Sequence, residues 1–111
     1  MDFPLLTVIL VSKYEEALRR IEELKPRILI TEYDIDGQKG LALVEQQQRY
    51  HDDESRISIV ISRNSSDSVI AEAAEEQVDC FLLKPFSTDD FRKKLMAVVA
   101  SKIRPSENLV S

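Results

Sequence analysis

The sequence predicts an α/β domain built on a parallel sheet. Short β-branched runs alternate with segments whose apolar residues recur every three or four positions. The resulting order, β-α-β-α-β-α-β-α, packs as parallel strands joined by crossover helices. The strand runs are also apolar throughout, Leu5–Val11 (LLTVILV) and Ile57–Ile61 (ISIVI) most clearly, as strands covered on both faces are. Finally, three carboxylates, Glu32, Asp34 and Asp36, crowd just past one strand, beside Gly37 and Gly40, the chain's two glycines. In open α/β sheets, ligands and chemistry collect at the C-terminal strand ends.

Leu5–Val11 is the first predicted strand. Ser12, with Glu15 three residues on, reads as a capping box. It opens a helix whose apolar stripe is Tyr14, Ala17, Leu18, Ile21 and Leu24. Lys25-Pro26 stops it, since a residue before proline leaves the α region. Arg27–Thr31 is the second strand, and an acidic loop follows to about Lys39. Leu41–Tyr50 is the next helix, with Leu41 and Val44 inward and Gln46, Gln47 and Gln48 mostly outward. A polar loop (His51–Ser55) leads to strand Ile57–Ile61, and Ser62–Ser66 to a helix over Asp67–Gln77. Cys80–Leu83 is the last strand. Lys84-Pro85-Phe86 turns out of it, and Ser87 caps a helix with Asp89 and Asp90 in its first turn, where the helix dipole favours acids. Phe91, Leu95, Val98 and Val99 form that helix's stripe, which predicts a helix continuous past Val99. Arg104–Ser111 is polar and reads as a tail or linker.

Composition narrows the function. The formal net charge of −5 disfavours nucleic acid and anionic membranes as direct partners, since both reward a basic face. Cys80 is the single cysteine, so no internal disulfide forms and a reducing, cytoplasmic setting fits; the thiol reads as a small core hydrophobe. No apolar run approaches the ~20 residues of a membrane span, and Met1–Pro4 lacks the basic start of a signal peptide. One histidine and no tryptophan nearly exclude paired-histidine metal sites, and His51 is given no role. No phosphate-cradling glycine loop, nucleophile–base pair or cofactor motif points to an enzyme.

The residues around the acidic loop resemble a known family. Lys25–Glu32 (KPRILITE) is similar to the KPDLILLD strand of bacterial two-component response regulator receiver domains, of the chemotaxis-regulator type. The last residue of that strand is the phosphorylated Asp. Gly40, eight residues on, matches the glycine closing the family's loop. Ser62, thirty residues after Glu32, matches the Thr/Ser that contacts the phosphoryl group, and Phe81–Phe86 (FLLKPF) matches the switch aromatic, the lysine and the usually cis proline. The resemblance covers about Leu5 to Ile103. It implies a flavodoxin-like parallel sheet flanked by helices, here shortened to about four strands and four helices. Residues 1–103 would be the receiver-like domain and 104–111 the tail or linker. The implied function is that of a non-enzymatic signal-transduction module. Glu32 is the phosphoacceptor equivalent, Ser62, Phe81 and Lys84 are the switch and phosphate-site equivalents, and Pro85 is the cis-proline candidate.

Three departures qualify it. The acceptor position holds Glu32, Asp36 stands where the family has a proline, and the N-terminus is short by a βα unit. Either the family's first βα unit is missing, or Leu5–Val11 takes the first-strand position with Ser12-Lys13 where an acidic pair belongs. Both registers lose that pair. Phosphotransfer to Asp uses Mg²⁺, which needs several oxygen ligands in near-octahedral geometry. Glu32 is also one methylene too long for an in-line position. The expectation is therefore a degenerate pseudo-receiver, without cofactor, acting through a protein partner, a fused output domain or a homodimer. The alternative is a working phosphoacceptor that uses Asp34 or Glu32 with Mg²⁺, in which Asp34 and Asp36 bind the ion weakly. Glu32 reads either as a built-in mimic of the phosphorylated state reaching Lys84 or as a plain ion pair. Ser62 reads as a phosphate contact or a turn cap, and Phe81 as a switch or a packing residue. Four strands also leave the last helix alone on one face of the sheet, exposing apolar strand side chains that a second copy or a partner would cover.

Overall fold

The structure, a computed structural model, describes residues 11–102. The strand expected over Leu5–Val11 lies outside the described residues except for Val11, as do the domain boundary at 103 and the tail over 104–111. Helix α1 (Tyr14–Leu24) buries Ala17 and Ile21 and carries acids in its first turn, but its N-cap is Lys13, with no side-chain hydrogen bond. The expected Ser12 capping box does not form, because Ser12 stands one residue outside the cap. At the other end Lys25 takes a left-handed conformation, and its N–H closes the helix on the Ile21 carbonyl, so the stop precedes Pro26 as expected.

Strand β1 (Ile28–Glu32) runs into a hairpin of two short strands, β2 (Asp34–Ile35) and β3 (Gln38–Lys39). Helix α2 (Leu41–Gln48), strand β4 (Ile57–Ser62), helix α3 (Asp67–Glu75), strand β5 (Cys80–Leu83) and helix α4 (Thr88–Lys102) follow. The three longer strands pair in parallel in the order β1-β4-β5, with Ile28 opposite Ile57 and Ile59 opposite Cys80. A parallel sheet flanked by four helices is the shortened flavodoxin-like fold the sequence implies. The described sheet has three strands where four were expected, since the fourth falls on Leu5–Val11.

Side-chain alternation divides the core. Leu29, Val60 and Phe81 share one face and meet Leu41 and Val44 of α2. Ala17 and Ile21 of α1 join Leu43 beside them. On the opposite face α4 packs over β4 and β5, and Ile59 and Leu82 are buried. The α4 stripe of Phe91, Leu95, Val98 and Val99 is only half-buried. Helix α4 stops short of β1, so Ile30 on that face is 41% exposed.

The glutamine run of α2 departs from the sequence reading. Gln47 is fully buried, and its Nε2 donates to the carbonyls of Pro26, Arg27 and Ile57 at 3.3, 3.0 and 3.2 Å. It thereby ties α2 to the approach to β1 and the first residue of β4. The base of the sheet is also held by charge. Lys102, the last residue of α4, reaches the carboxylate of Asp79 at 2.8 Å and the carbonyl of Arg56 at 2.7 Å. Asp79 in turn accepts the N–H of Ser58 at 2.8 Å.

Gln47→Leu removes a donor shared by the Pro26, Arg27 and Ile57 carbonyls, of which Arg27 keeps the Ile57 N–H. It is expected to lower stability by about 1–3 kcal/mol with the fold retained, measured by urea unfolding.

Candidate functional site

Three strand ends meet at the C-terminal edge of the sheet. Glu32 ends β1, Ser62 ends β4 and Lys84 follows β5. The chain approaches here because the Lys84 N–H donates to the Ser62 carbonyl at 2.8 Å, carrying the parallel ladder one residue past β5. The Lys84–Pro85 peptide is cis. The Lys84 ammonium is ion-paired with the Glu32 carboxylate. Lys84 keeps 29% of its side-chain exposure and Glu32 keeps 53%, so the pair is worth about 0–1 kcal/mol in stability. Its significance lies in what it occupies.

Beyond Glu32, the acidic segment is a hairpin rather than a loop. Asp36 and Gly37 both have positive φ, 55° and 78°, as a two-residue hairpin turn of the primed type requires. Asp34 pairs with Lys39 and Ile35 with Gln38 across it. Asp36 faces Lys13 at 3.9 Å. Asp34 is exposed and makes no ion pair among the described residues. Gly40 closes the hairpin against β1. Its N–H donates to the Tyr33 carbonyl at 2.7 Å, and a Cβ there would stand 1.9 Å from the Glu32 carbonyl oxygen and 2.7 Å from Thr31 Oγ1. Glycine is needed at this position for close approach, since its backbone is ordinary helix-type.

A second tie fixes the hairpin to α3. Glu72 accepts a hydrogen bond from the Tyr33 hydroxyl at 2.7 Å and another from Lys39 Nζ at 2.8 Å. These bonds from Lys39 and Tyr33 hold the Glu72 carboxyl below the usual carboxylate range. The bond to Glu72 also raises Lys39. Tyr33 is raised by the same bond, and next by burial. This clamp joins positions 39 residues apart and was not found in the sequence, where three polar residues in separate elements give no signal. The turn that makes it possible was visible as the dipeptide Asp36-Gly37.

The remaining candidates are nearby but do not converge. The Ser62 hydroxyl is buried and spent on its own loop, donating to the Asn64 carbonyl at 3.0 Å and accepting the Asn64 N–H at 2.9 Å. Phe81 packs half-buried against Leu41, Val44 and Val60. Cys80 is half-buried and burial pushes its thiol up. Among the described residues, no group of three or more His, Cys, Asp or Glu side chains lies placed to hold a metal ion, and no helix is long and apolar enough to cross a membrane.

A model of the response regulator receiver domain family matches residues 4–96. The chain belongs to that family. The fold of this receiver domain is also that of solved relatives. A signal receiver domain from Vibrio parahaemolyticus is 18% identical at a TM-score of 0.70, with 91% of this chain and 75% of that one aligned. A CheY-like response regulator receiver domain protein from Methanospirillum hungatei is 16% identical at 0.70, over 81% and 70%. A DNA-binding response regulator of the LuxR family from Staphylococcus aureus is 22% identical at 0.65, over 75% and 68%. At the C-terminal edge of this receiver domain's sheet, Glu32 faces Lys84.

Two expectations follow. Gly40→Ala is expected to destabilise by about 1–3 kcal/mol or more, because backbone rather than a flexible side chain stands in the way; thermal or urea unfolding measures it. The clamp sets a pH window. A carboxyl lowered on folding contributes stability that is complete above the ordinary glutamate range, about pH 4.3, and is lost as pH falls through the lower folded value. The raised Tyr33 and Lys39 contribute below about pH 10 and lose it as pH rises through their folded values. Glu72→Gln is therefore expected to remove both effects. In an absorbance titration the raised Tyr33 phenol should move back toward the ordinary tyrosine range.

Proposed function

We propose that this receiver domain is an atypical signalling module that acts through protein–protein contact, with its acceptor position held by an internal ion pair instead of being phosphorylated. The observation that carries this reading is the Glu32–Lys84 pair. The lysine that would meet a phosphoryl group already has a carboxylate from the acceptor position itself. A further lysine, Lys13, stands beside Asp36, and the Ser62 hydroxyl is engaged in its own loop. The residues present fit a divalent cation poorly. Only Asp34 among the three loop carboxylates makes no ion pair among the described residues, and Mg²⁺ requires several oxygens arranged around it. On this reading no cofactor is needed.

The partner is a separate protein, a second copy or an output domain in the same polypeptide, in a cytoplasmic setting. The acidic net charge speaks only for this chain's own surface. The Staphylococcus aureus relative is described as DNA-binding, so an output domain of that class is compatible with the proposal.

Incubation with acetyl phosphate and Mg²⁺, followed by intact mass measurement, tests it. The mass is expected to stay unchanged. Gain of one phosphoryl group, lost in Asp34→Ala or in Glu32→Gln, would replace this reading with that of a working phosphoacceptor at the residue concerned.

A further inference from the structure

Three buried side-chain atoms find no hydrogen-bond partner among the described residues: Gln47 Oε1, Arg56 Nε and Ser58 Oγ. Their side chains have almost no exposure, with Gln47 and Ser58 at 0% and Arg56 at 4%. A buried polar group without a partner is costly, and natural folds leave few of them.

All three lie around one backbone carbonyl, that of Ile57. Gln47 Nε2 donates to it at 3.2 Å, which brings the Gln47 amide to the start of β4. Arg56 and Ser58 are the residues on either side of Ile57. Ser58 stands opposite Leu29 in the parallel register, so its side chain lies on the face of the sheet that α2 covers. Arg56 reaches the same region. Its Nη1 donates to the His51 carbonyl at 3.2 Å, and the His51 N–H donates to the Gln47 carbonyl at 3.2 Å. Amide, guanidinium and hydroxyl therefore meet beneath the C-terminal end of α2.

The other polar atoms of these residues are committed. Gln47 Nε2 serves three carbonyls, which fixes the amide, since the reverse orientation would set its oxygen against three acceptors. Arg56 uses its terminal nitrogens on the His51 carbonyl and, at 3.4 Å, on the Asp53 carboxylate. The main-chain N–H and C=O of Ser58 are both taken by Asp79, at 2.8 and 2.9 Å.

We propose that Gln47 Oε1, Arg56 Nε and Ser58 Oγ form a binding site for one internal water molecule. The chemistry selects this ligand. Nε–H only donates, Oε1 only accepts, and the hydroxyl does either. An anion there would face the Gln47 oxygen, and a cation would face the arginine. Water accepts the Arg56 N–H, donates to Gln47 and makes its third bond with Ser58. Three bonds are typical of a buried water. The water thereby couples α2, the residue that leads into β4 and β4 itself. This site lies away from Glu32 and Lys84, so the inference does not depend on whether the domain is phosphorylated.

A high-resolution crystal structure of the unmodified chain tests it, together with magnetic relaxation dispersion of the solvent. Density for one water within about 2.7–3.2 Å of all three atoms is expected. Ser58→Val, which puts a methyl group in place of the hydroxyl, is expected to lose one long-lived water relative to the unmodified chain. If Ser58→Val fails to fold, Overhauser transfer from a long-lived water to the Arg56 Nε–H of the unmodified chain is the expected signal. Direct bonds among the three side chains, an ion or another part of the chain at this point, or no density there would overturn the proposal. So would an unchanged number of long-lived waters in folded Ser58→Val, or no water signal at the Arg56 Nε–H.

Discussion

The close contact of Gly40 with the end of β1 is the constraint on which the C-terminal edge of the sheet depends. The chain leaves β1 at Glu32, turns through a two-residue hairpin and must return within hydrogen-bond reach of Tyr33 before α2 can start. Only a residue without Cβ fits against the Glu32 carbonyl. The return fixes the direction in which Glu32 leaves the sheet, and it fixes the first turn of α2, since Leu43 donates to the Gly40 carbonyl. Helix α2 then carries Leu41, Leu43 and Val44 into the core and Gln47 down to the base of the sheet. One backbone contact thus sets both the acidic edge and the packing of the helix behind it.

Around that contact the charges are arranged in pairs. Glu32 faces Lys84, Asp36 faces Lys13, and Glu72 faces Lys39 with Tyr33 beside it. Each pair is partly exposed, and none adds much to stability singly. Together they spread cations around an acidic hairpin, each held by a different element: the start of α1, the hairpin itself and the turn after β5. A change in any of those elements would alter the balance of charge at the edge without any new ligand.

What was legible in the sequence follows physical scale. Strand runs and helical stripes are local patterns, so β1, β4, β5 and all four helices were placed within a few residues. The meeting of Glu32 and Lys84 was legible because both residues end strands of one parallel sheet, whose edges are fixed by chain direction. Gln47 was not legible. A polar residue in a run of three glutamines looks exposed, and only the convergence of three carbonyls, two just ahead of β1 and one in β4, makes burial favourable. Ser12 misled for the opposite reason. Its spacing to Glu15 fits a cap, but the helix begins one residue later. The hairpin was missed although Asp36-Gly37 is a turn signal, because its strands of two residues are too short to show alternation.

Lys102 gives the last helix a mechanical character. Its ammonium is gripped by Asp79 and by backbone oxygens of the segments that lead into β4, at the opposite pole of the sheet from Lys84. Helix α4 begins three residues after Pro85 and ends at this anchor, so it spans the domain as a strut fastened near both ends. The turn at Lys84 and the base of the sheet are thereby joined by one continuous helix as well as by the strands.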